Sequence, residues 1–534
     1  MIFGSENGEH DTLLFNCPVH ISVLEKEHRI FTGRWGTGKS AHLFLANEAL
    51  TKALEKFDKR KRKLWYLDEN SLDVGSLNEL RANCNDTREF RFQVERIWKA
   101  EVLRAAASLL GFVAEKQPVP NTIHWKFVKA AYTGGQYTES LWSNIKPLMK
   151  IVFGDDARFK GVTELHGKIE DLATQQAEDF IQKCIADLDG HFPKIAIGVE
   201  PIDTPKSPLE SADKSMAQDV IASLLNVFLR SFQPDETNLL DVYLAIPWHR
   251  YTIDGVINPQ KRRAFEAHLS WEKHELHKFI NSRIAWEFNR VRRSFKSINN
   301  AWDQLYVDFV PNTYCNHKFL ENSFNYILRH THHRPRDVQR ICRLSLKKCA
   351  AKTGRSIDDI ISGKSGLRVD ASHIRDAVLD YCSDHLIDFQ EEVRRRFPDM
   401  PNLEAVIRGI SVPFSLEELE SRAKRFGIDV GIDSLFRELW EAGFVGIEAS
   451  IKENADPVKI ATLFSECAHV IHKIPDGKTE FHRWYLFSYN TKGDPLEIFT
   501  TVKAHPDIGL MCVLHPRTFE RFSRHLSQKW PIGV

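Results

Sequence analysis

The stretch that most constrains the fold of this chain runs from Gly33 to Ser40 and reads Gly-Arg-Trp-Gly-Thr-Gly-Lys-Ser. It fits the pattern G-x-x-x-x-G-K-[ST] at every fixed position. An apolar pair, Ile30-Phe31, precedes it, and apolar residues at helical spacing follow it from Ala41 to Leu50. The sequence therefore predicts a strand, a glycine-rich loop and a helix in that order, which is the context that the motif requires.

The chemistry of this loop follows from its residue types. Its glycines allow a tight turn whose backbone N–H groups converge on one anion, and the helix that begins near Lys39 directs the positive end of its dipole to the same point. Lys39 supplies a charge for the outer phosphates, and the Ser40 hydroxyl is placed to ligate Mg²⁺. A chance match in an ordinary turn is the alternative. We predict that ATP is bound by Gly33, Arg34, Trp35, Gly36, Thr37, Gly38, Lys39, Ser40 and Ala41.

A second apolar run, Lys194 to Glu200, predicts a buried strand that ends in a carboxylate. In phosphate-loop ATPases, acids at such a strand end hold Mg²⁺ or its water and polarise the attacking water. We therefore predict that Glu200 and Asp203 are catalytic, and that Glu200 joins Ser40 in ligating Mg²⁺. The alternative is a surface glutamate followed by an aspartate that caps a helix.

Strands and helices alternate over residues 1–270, which predicts a mostly parallel α/β sheet with its ligand at the C-terminal ends of the strands. Further strands are expected at Leu64 to Asp68 and at Asn238 to Pro247, and residues 88–190 predict a helical insertion. We expect a P-loop ATPase core over 1–270, an all-α lid over 271–400 and a winged-helix-like module over 401–534.

The winged-helix prediction rests on the order of elements near the C-terminal end. Three short helices and then two strands are expected at Leu403 to Ile407, Leu416 to Phe426, Ile432 to Ala442, Phe444 to Ser450 and Phe481 to Tyr489. The third helix, which would read DNA, carries one basic residue, Arg437, against Asp433, Glu438 and Glu441. Phosphates would repel it, so contact with DNA is expected from cations on the strands, namely Lys473, Lys478, His482 and Arg483. A module that contacts protein is the alternative.

Composition excludes several broad classes. The 534 residues carry 73 basic and 72 acidic side chains, a net charge of +1, so no overall attraction to nucleic acid or to a membrane surface is expected. No apolar run approaches the roughly 20 residues that span a bilayer. Nine cysteines without a Cys-x-x-Cys pair indicate reduced thiols in a cytoplasmic protein. His330, His332 and His333 have no cysteine or carboxylate at ligand spacing, which disfavours a metal site.

Together these residues resemble a bacterial P-loop ATPase family related to the STAND, KAP and origin-recognition-type AAA+ ATPases. Besides the glycine-rich loop, the resemblance includes Leu269-Ser270-Trp271 leading to Leu276 and Arg283-Ile284, the helix start Arg334-Pro335-Arg336-Asp337, and Leu514-His515-Pro516. It implies an ATPase core, a helical lid and a C-terminal winged helix. It also implies that Arg334 or Arg336 senses bound nucleotide. Relatives of this kind are often encoded among anti-phage defence genes.

Two positions depart from the family pattern. Glu200 stands where the first Walker B acid is usually aspartate, and its additional methylene would shift the metal geometry, so slow hydrolysis is expected. Pro247 stands near the position of the polar sensor, and proline has no backbone N–H to donate to phosphate. His249 and Arg250 follow it and are the remaining candidates for that role.

The sequence therefore predicts a molecular switch that binds ATP and hydrolyses it, acting with DNA, a protein partner or further copies of itself. The resemblance implies that it belongs to a bacterial defence system. The alternative is a nucleotide-binding scaffold with little or no hydrolysis. A metabolic or nucleic-acid kinase fits less well, because a helical lid followed by a winged helix does not suit that class.

Overall fold

The structure, a computed structural model, describes residues 28–33, 37–39, 66–67, 74–116, 118–131, 175–188, 195–199, 214–233, 239–247, 256, 259–292, 300–314, 317–363, 366–396, 402–410, 412–451, 468–473, 480–489, 494–503 and 508–516. The chain divides into two compact units, one that ends at Leu269 and one that begins at Ser270. The further division into a lid and a winged-helix module stays a prediction.

The described part of the first unit contains, in chain order, β1 (Ile30–Gly33), β2 (Tyr66–Leu67), α1 (Val74–Asn83), α2 (Thr87–Lys116), α3 (Ile123–Ala131), α4 (Gln175–Ala186), β3 (Ile195–Val199), α5 (Lys214–Ser231), β4 (Leu240–Pro247), α6 (Pro259–Ala264) and β5 (Glu266–Leu269).

The described part of the second unit contains α7 (Lys273–Arg292), α8 (Ala301–Leu305), β6 (Phe309–Tyr314), β7 (His317–Asn322), α9 (Ser323–Arg329), α10 (Pro335–Thr353), α11 (Ile357–Ser362), α12 (Ala371–Arg396), α13 (Leu403–Ile407), α14 (Leu416–Arg425), α15 (Ile432–Glu441), β8 (Val445–Ile451), β9 (Ala468–Lys473), β10 (Glu480–Leu486), α16 (Pro495–Lys503) and β11 (Ile508–Leu514).

A five-stranded sheet in the order β2-β3-β4-β1-β5 organises the first unit. Every pair of neighbouring strands is parallel, so the predicted parallel α/β sheet is confirmed. Strand β1 lies between β4 and β5, and β4 separates it from β3. Because the strands are parallel, the C-terminal ends of β1, β3 and β4 lie along one edge of the sheet.

Two helices form the core against one face of this sheet. Every residue of α5 from Asp219 to Leu229 is buried, as is expected of a helix enclosed between a sheet and another helix. Helix α2 packs along it, and Glu95 accepts hydrogen bonds from Asn226 at 2.9 Å and from Arg230 at 2.6 Å. The Trp98 indole donates to the Val220 carbonyl at 3.1 Å. Helix α2, from the region predicted as a helical insertion, thus forms part of the layer that packs on the sheet.

The prediction of an all-α lid over 271–400 is wrong, because β6 and β7 pair there as an antiparallel hairpin. Pro311 lies inside β6, and proline in an apolar run argues against a strand unless the strand is at an edge. Val310 is buried, whereas Phe309 and Leu320 are 51% and 64% exposed, so two of the large apolar side chains here do not mark the buried face of a strand.

The C-terminal strands form a larger sheet than the predicted two-stranded wing. The three predicted helices are present, and β8 and β10 pair with each other as expected. However, β11 and β9 flank them to give an antiparallel sheet in the order β11-β8-β10-β9. Strand β9 lies between the two predicted strands, where no strand was predicted. The buried face of α15 packs in the same core through Leu435, Phe436, Leu439 and Trp440.

One arginine closes the end of a short helix in this region. Arg422 on α14 donates to the carbonyls of Val406 at 2.7 Å and of Ala405 at 3.2 Å, at the C-terminal end of α13. Carbonyls in the last turn of a helix have no partner within the helix, so a guanidinium that reaches them supplies the missing donors. The contact ties two helices that bury little surface of their own.

We expect Arg422→Ala to lower the free energy of unfolding by about 1 to 3 kcal/mol, because it leaves partly buried carbonyls without donors. Urea unfolding of the full chain, followed by circular dichroism, measures the change. Arg425→Ala is the matched control, since both guanidiniums lie over the Phe426 ring, at 5.8 Å and 6.0 Å, and only Arg422 reaches the α13 carbonyls. Equal effects of the two substitutions would show that the carbonyl contacts do not stabilise the fold.

Candidate functional site

The candidate site begins at the C-terminal end of β1, whose last residue is Gly33. Of the predicted nucleotide-binding loop, the structure also describes Thr37, Gly38 and Lys39. The remaining members lie outside the described residues: Arg34, Trp35, Gly36, Ser40 and Ala41. The described geometry of the site therefore consists of two points, the start of the loop at Gly33 and its end at Lys39.

Lys39 folds back onto the strand that leads into the loop. Its side chain is buried, with 1% of the residue exposed, and its Nζ donates to the Gly33 carbonyl at 3.2 Å. A buried ammonium is costly unless its donors are satisfied, and this carbonyl satisfies one of them. The lysine charge is thereby held at the edge of the sheet where the parallel strands end.

Two glycines are required by the shape of this loop. A Cβ on Gly33 would lie 2.6 Å from Thr37 Oγ1, closer than real Cβ contacts come, and 3.1 Å from the Leu269 carbonyl oxygen, tighter than most of them. Gly38 has a φ of 100°, a conformation that residues with a side chain rarely adopt. The motif therefore keeps glycine at these two places for different reasons, one of space and one of backbone conformation.

The predicted carboxylates follow β3, two strands away from β1. Glu200 and Asp203 lie outside the described residues, and Val199, the last residue of β3, is buried. The register places Val199 beside Leu244, and Leu244 beside Ile30, so β3 ends three residues before the level of Gly33. The two strand ends are therefore offset by about 10 Å across the sheet and by about 10 Å along it. The roles of the two carboxylates stay predictions.

Pro247 lies directly beside the start of the loop. It is the last residue of β4, and the strand register pairs it with Gly33. On the other side of β1 the register pairs Gly33 with Leu269. His249 and Arg250, the alternative sensor candidates, lie outside the described residues. On its β4 side, the start of the loop therefore lies beside Pro247, whose backbone has no N–H to donate.

Polar contacts that the sequence analysis missed hold β1 to β4. Arg29 is buried, pairs with Asp241 at 3.5 Å and lies 4.7 Å from the centre of the Tyr243 ring. Burial raises the pKa of Tyr243 to about 12. An aspartate inside the apolar run of β4 was the available signal, because a buried charge in a strand needs a partner.

On the other side, β1 is joined to β5 through a hydroxyl. Thr32 donates from Oγ1 to Glu266 at 3.0 Å and lies 3.3 Å from His268 Nδ1. Strand β5 was not predicted, because it is four residues long and carries the polar residues Glu266 and His268. Contacts on both flanks thus fix the strand from which the loop departs.

The two candidate sensor arginines have different surroundings. Arg334 precedes α10 and is buried; it donates to His332 Nδ1, and its Nε lies 3.8 Å from Asp337. Arg336 is in the first turn of α10 and is exposed. Arg334 is therefore part of an internal network, and Arg336 is presented at the surface. A nucleotide-sensing role stays a prediction for both.

The histidine tract is packed inside the second unit. His330, His332 and His333 are all buried, and His330 Nδ1 donates to the Tyr326 carbonyl at 2.7 Å. Burial lowers the pKa of His330 well below its usual value, and the neighbouring Arg329 acts in the same direction. Within the ranges that the structure describes, no group of three histidine, cysteine or acidic side chains could hold a metal ion.

The one basic residue of α15 is engaged by an acid. Arg437 forms a two-pronged contact with Asp494, from Nε at 2.9 Å and from Nη2 at 2.8 Å. This contact raises the pKa of Arg437 and lowers that of Asp494. The exposed side of α15 is therefore more acidic than its sequence indicates, which adds to the argument against docking it on DNA.

The predicted DNA-contacting cations are divided along the C-terminal sheet. The register pairs Lys473 of β9 with Glu480 of β10, which places an acid opposite the first of them. His482 and Arg483 are consecutive residues of β10. Lys478 lies outside the described residues. Contact with DNA stays a prediction.

Comparison with models of protein families, with curated proteins and with solved structures finds no match to this chain. The resemblance to P-loop ATPases therefore rests on the sequence motifs, and the family stays a prediction. In the part of the chain that the structure describes, no helix has the length and apolar character needed to cross a membrane.

We expect Gly33→Ala to weaken ATP binding by about tenfold or more, because the new methyl group displaces Thr37 and with it the loop. Isothermal titration of the full chain with ATP and Mg²⁺ measures this. Adding Thr37→Ala removes the nearest clashing atom and should restore part of the affinity. Gly431→Ala is the control, since nothing lies within 4 Å of a Cβ there. Unchanged affinity in Gly33→Ala would mean that nucleotide does not depend on this loop.

We expect the free energy of unfolding to fall as the pH decreases from 6.5 toward 4, because burial lowers the pKa of His333 from 6.5 to about 4, with Lys273 acting in the same direction. In that window the unfolded chain binds a proton that the folded chain does not, so stability is complete above the unfolded pKa and is lost below it. The full contribution of His333 is about 3 kcal/mol. Denaturant unfolding at a series of pH values measures it.

His333→Asn is the variant for this measurement, because His333 has a φ of 50° and asparagine tolerates that conformation. Its pH dependence should be weaker than that of the wild type. His274→Asn, at a histidine whose side chain is 75% exposed, should leave the dependence unchanged. Parallel curves for wild type and His333→Asn would contradict the assignment.

Proposed function

We propose that this chain binds ATP with Mg²⁺ at the loop that follows β1, and that it hydrolyses the nucleotide slowly as a conformational switch. The observation that carries the proposal is the position of Lys39. Its buried ammonium is held against the Gly33 carbonyl, at the edge of a parallel sheet where the strands end. Ligands of open parallel sheets bind at this edge, and a lysine there offers charge to phosphate.

The described residues suit a phosphate chain. Gly38 has a φ of 100°, a conformation that allows a phosphate loop to turn its amide groups inward, and Gly33 leaves the space that Thr37 fills. Mg²⁺, when bound, would neutralise charge on the β- and γ-phosphates. Its proposed ligands are Ser40 and Glu200, directly or through water. Phosphoryl transfer requires mainly positioning and charge neutralisation, which this set of residues could supply.

The protein side chains have distinct proposed roles in hydrolysis. Lys39 and the loop amides hold the outer phosphates, and Glu200 or Asp203 orients the attacking water. Arg336 is the better candidate for reporting the nucleotide state, because it is exposed in the first turn of α10, whereas Arg334 is buried. Slow turnover is part of the proposal, since Glu200 is one methylene longer than the aspartate expected there.

A nucleotide-binding scaffold is the second candidate, and one observation favours it. Pro247 lies beside Gly33 in the neighbouring strand, so the β4 backbone offers no N–H to phosphate at that place. A site that binds nucleotide without a polar sensor would hold ATP and hydrolyse little of it. The acidic side of α15, with Arg437 paired to Asp494, favours a protein partner over DNA for either function. A cytoplasmic location, self-association and a role in bacterial defence rest on sequence alone.

We expect Lys39→Ala to bind ATP about 100-fold more weakly than the wild type, because it removes a charged donor from the phosphate site. Glu200→Gln should retain binding and lose turnover by about 100-fold or more. Nucleotide titration and phosphate release, each with and without double-stranded DNA, measure both properties, and light scattering gives the mass in each state. Lys352→Ala is the control, since its Nζ contacts Ser372 outside the loop.

Three outcomes decide between the candidates. Equal ATP affinity of Lys39→Ala and the wild type would overturn the nucleotide site. Wild-type binding without turnover under every condition would replace the ATPase by the scaffold. Turnover that is lost in both Lys39→Ala and Glu200→Gln, while Lys352→Ala remains active, supports the ATPase.

A further inference from the structure

A buried turn joins the helical part of the second unit to its C-terminal sheet. The turn runs from Thr331 to Arg334, between α9 and α10, and all its residues are buried. The Thr331 carbonyl accepts a hydrogen bond at 3.1 Å from Nε2 of His515, which directly follows β11. The His332 ring stacks on Tyr489, with the ring centres 5.3 Å apart. We call Thr331, His332, Arg334, Tyr489 and His515 the imidazole joint.

Aromatic packing surrounds the central histidine of this joint. The centres of the His332 and His515 rings are 4.5 Å apart at an angle of 78°. His333 lies 5.0 Å from the Tyr489 ring, and Phe487 stacks on Tyr489 at 5.2 Å. Three imidazoles and two aromatic rings therefore share one packed cluster, and residues from three separate stretches of the chain contribute to it.

The hydrogen bonds define the protonation state of His332. Arg334 donates to its Nδ1, and a guanidinium has no acceptor, so Nδ1 must carry a lone pair. His332 is then neutral, with its proton on Nε2. A second proton would place an N–H on Nδ1 against the guanidinium N–H and bring two positive charges together. Protonation of His332 is therefore incompatible with this contact.

Charged and titratable groups of the described residues lie around the joint. Asp337 of α10 accepts from the His332 backbone N–H at 3.4 Å and lies 3.8 Å from Arg334 Nε. Burial lowers the pKa of His333 and of His330, and Lys273 of α7 and Arg329 of α9 act in the same direction. Tyr489 and His515 of the C-terminal sheet face His332. The basic residues around the joint oppose a further positive charge there.

We propose that the imidazole joint is a proton-sensitive coupling, in which uptake of a proton by His332 releases the C-terminal sheet from the start of α10 while both parts remain folded. The joint lies next to Arg336, so its state would also set how firmly the first turn of α10 is held. The proposal does not depend on nucleotide binding and can be tested without it.

Hydrogen exchange of the full-length chain, followed by mass spectrometry, tests the proposal. Every protein in this experiment, including the wild-type reference, also carries His333→Asn, which removes the loss of stability that titration of His333 would add in the same pH range. Exchange is measured between about pH 7.5 and pH 5 and corrected for the intrinsic pH dependence of amide exchange. In the wild type we expect protection of the segments 331–337 and 487–489 to fall by about tenfold or more across this range. Strand β8, in the same unit, should keep its protection and serves as the internal reference.

His332→Gln separates protonation from simple instability. The glutamine side-chain oxygen can accept from Arg334 as Nδ1 does, and it does not titrate. We expect this variant to keep the two segments protected at the lower pH. His274→Gln is the matched control, because its side chain is 75% exposed and lies outside the joint, and it should behave as the wild type does.

The outcomes either support or overturn the coupling. Loss of protection in the wild type and in His274→Gln, but not in His332→Gln, supports it. Equal loss in wild type and His332→Gln, or no loss in either, overturns it. Should His332→Gln fail to fold, the wild type alone decides, because protection that is lost in β8 together with the two segments indicates unfolding of the whole unit and also overturns it.

Discussion

The parallel pairing of β1 with β4 and β5 is the constraint on which the candidate site depends. It brings Gly33 beside Pro247 on one side and Leu269 on the other, and it sets the edge where Lys39 is buried. Contacts from β1 to Asp241 and Glu266 strengthen the pairing on both flanks. Because these contacts hold β1 on both sides, the loop that follows it can keep the Lys39 charge at one point.

Much of the central sheet could be predicted, because its strands are apolar runs between helices and a buried parallel strand has that pattern. Several of the strands that sequence reasoning missed lack such a pattern, although β11, which was also missed, is an apolar run. Strand β5 carries polar residues at an edge, β6 contains Pro311, and β9 lies in a charged segment. Each of these strands is stabilised by pairing with a neighbouring strand, and the local sequence pattern does not contain that information.

For the site, the motif located Gly33 and Lys39 because local spacing alone defines a phosphate loop. The supporting contacts could not be found in this way, since Arg29 pairs with Asp241 and His515 reaches Thr331 across long stretches of sequence. The sequence also left Arg334 and Arg336 equivalent. Only burial distinguishes them, and burial is decided by the tertiary fold.

The strand order has a consequence for how the chain is made. Strand β1 ends at Gly33, but both of its neighbours, β4 and β5, are synthesised more than 200 residues later. On the ribosome, the strand and its loop therefore emerge long before anything exists to pair with them. Long-range parallel pairing is slow to form and leaves strand edges open in the meantime. A nascent chain truncated before Leu240 would contain the complete phosphate-loop motif and still lack the sheet that shapes it.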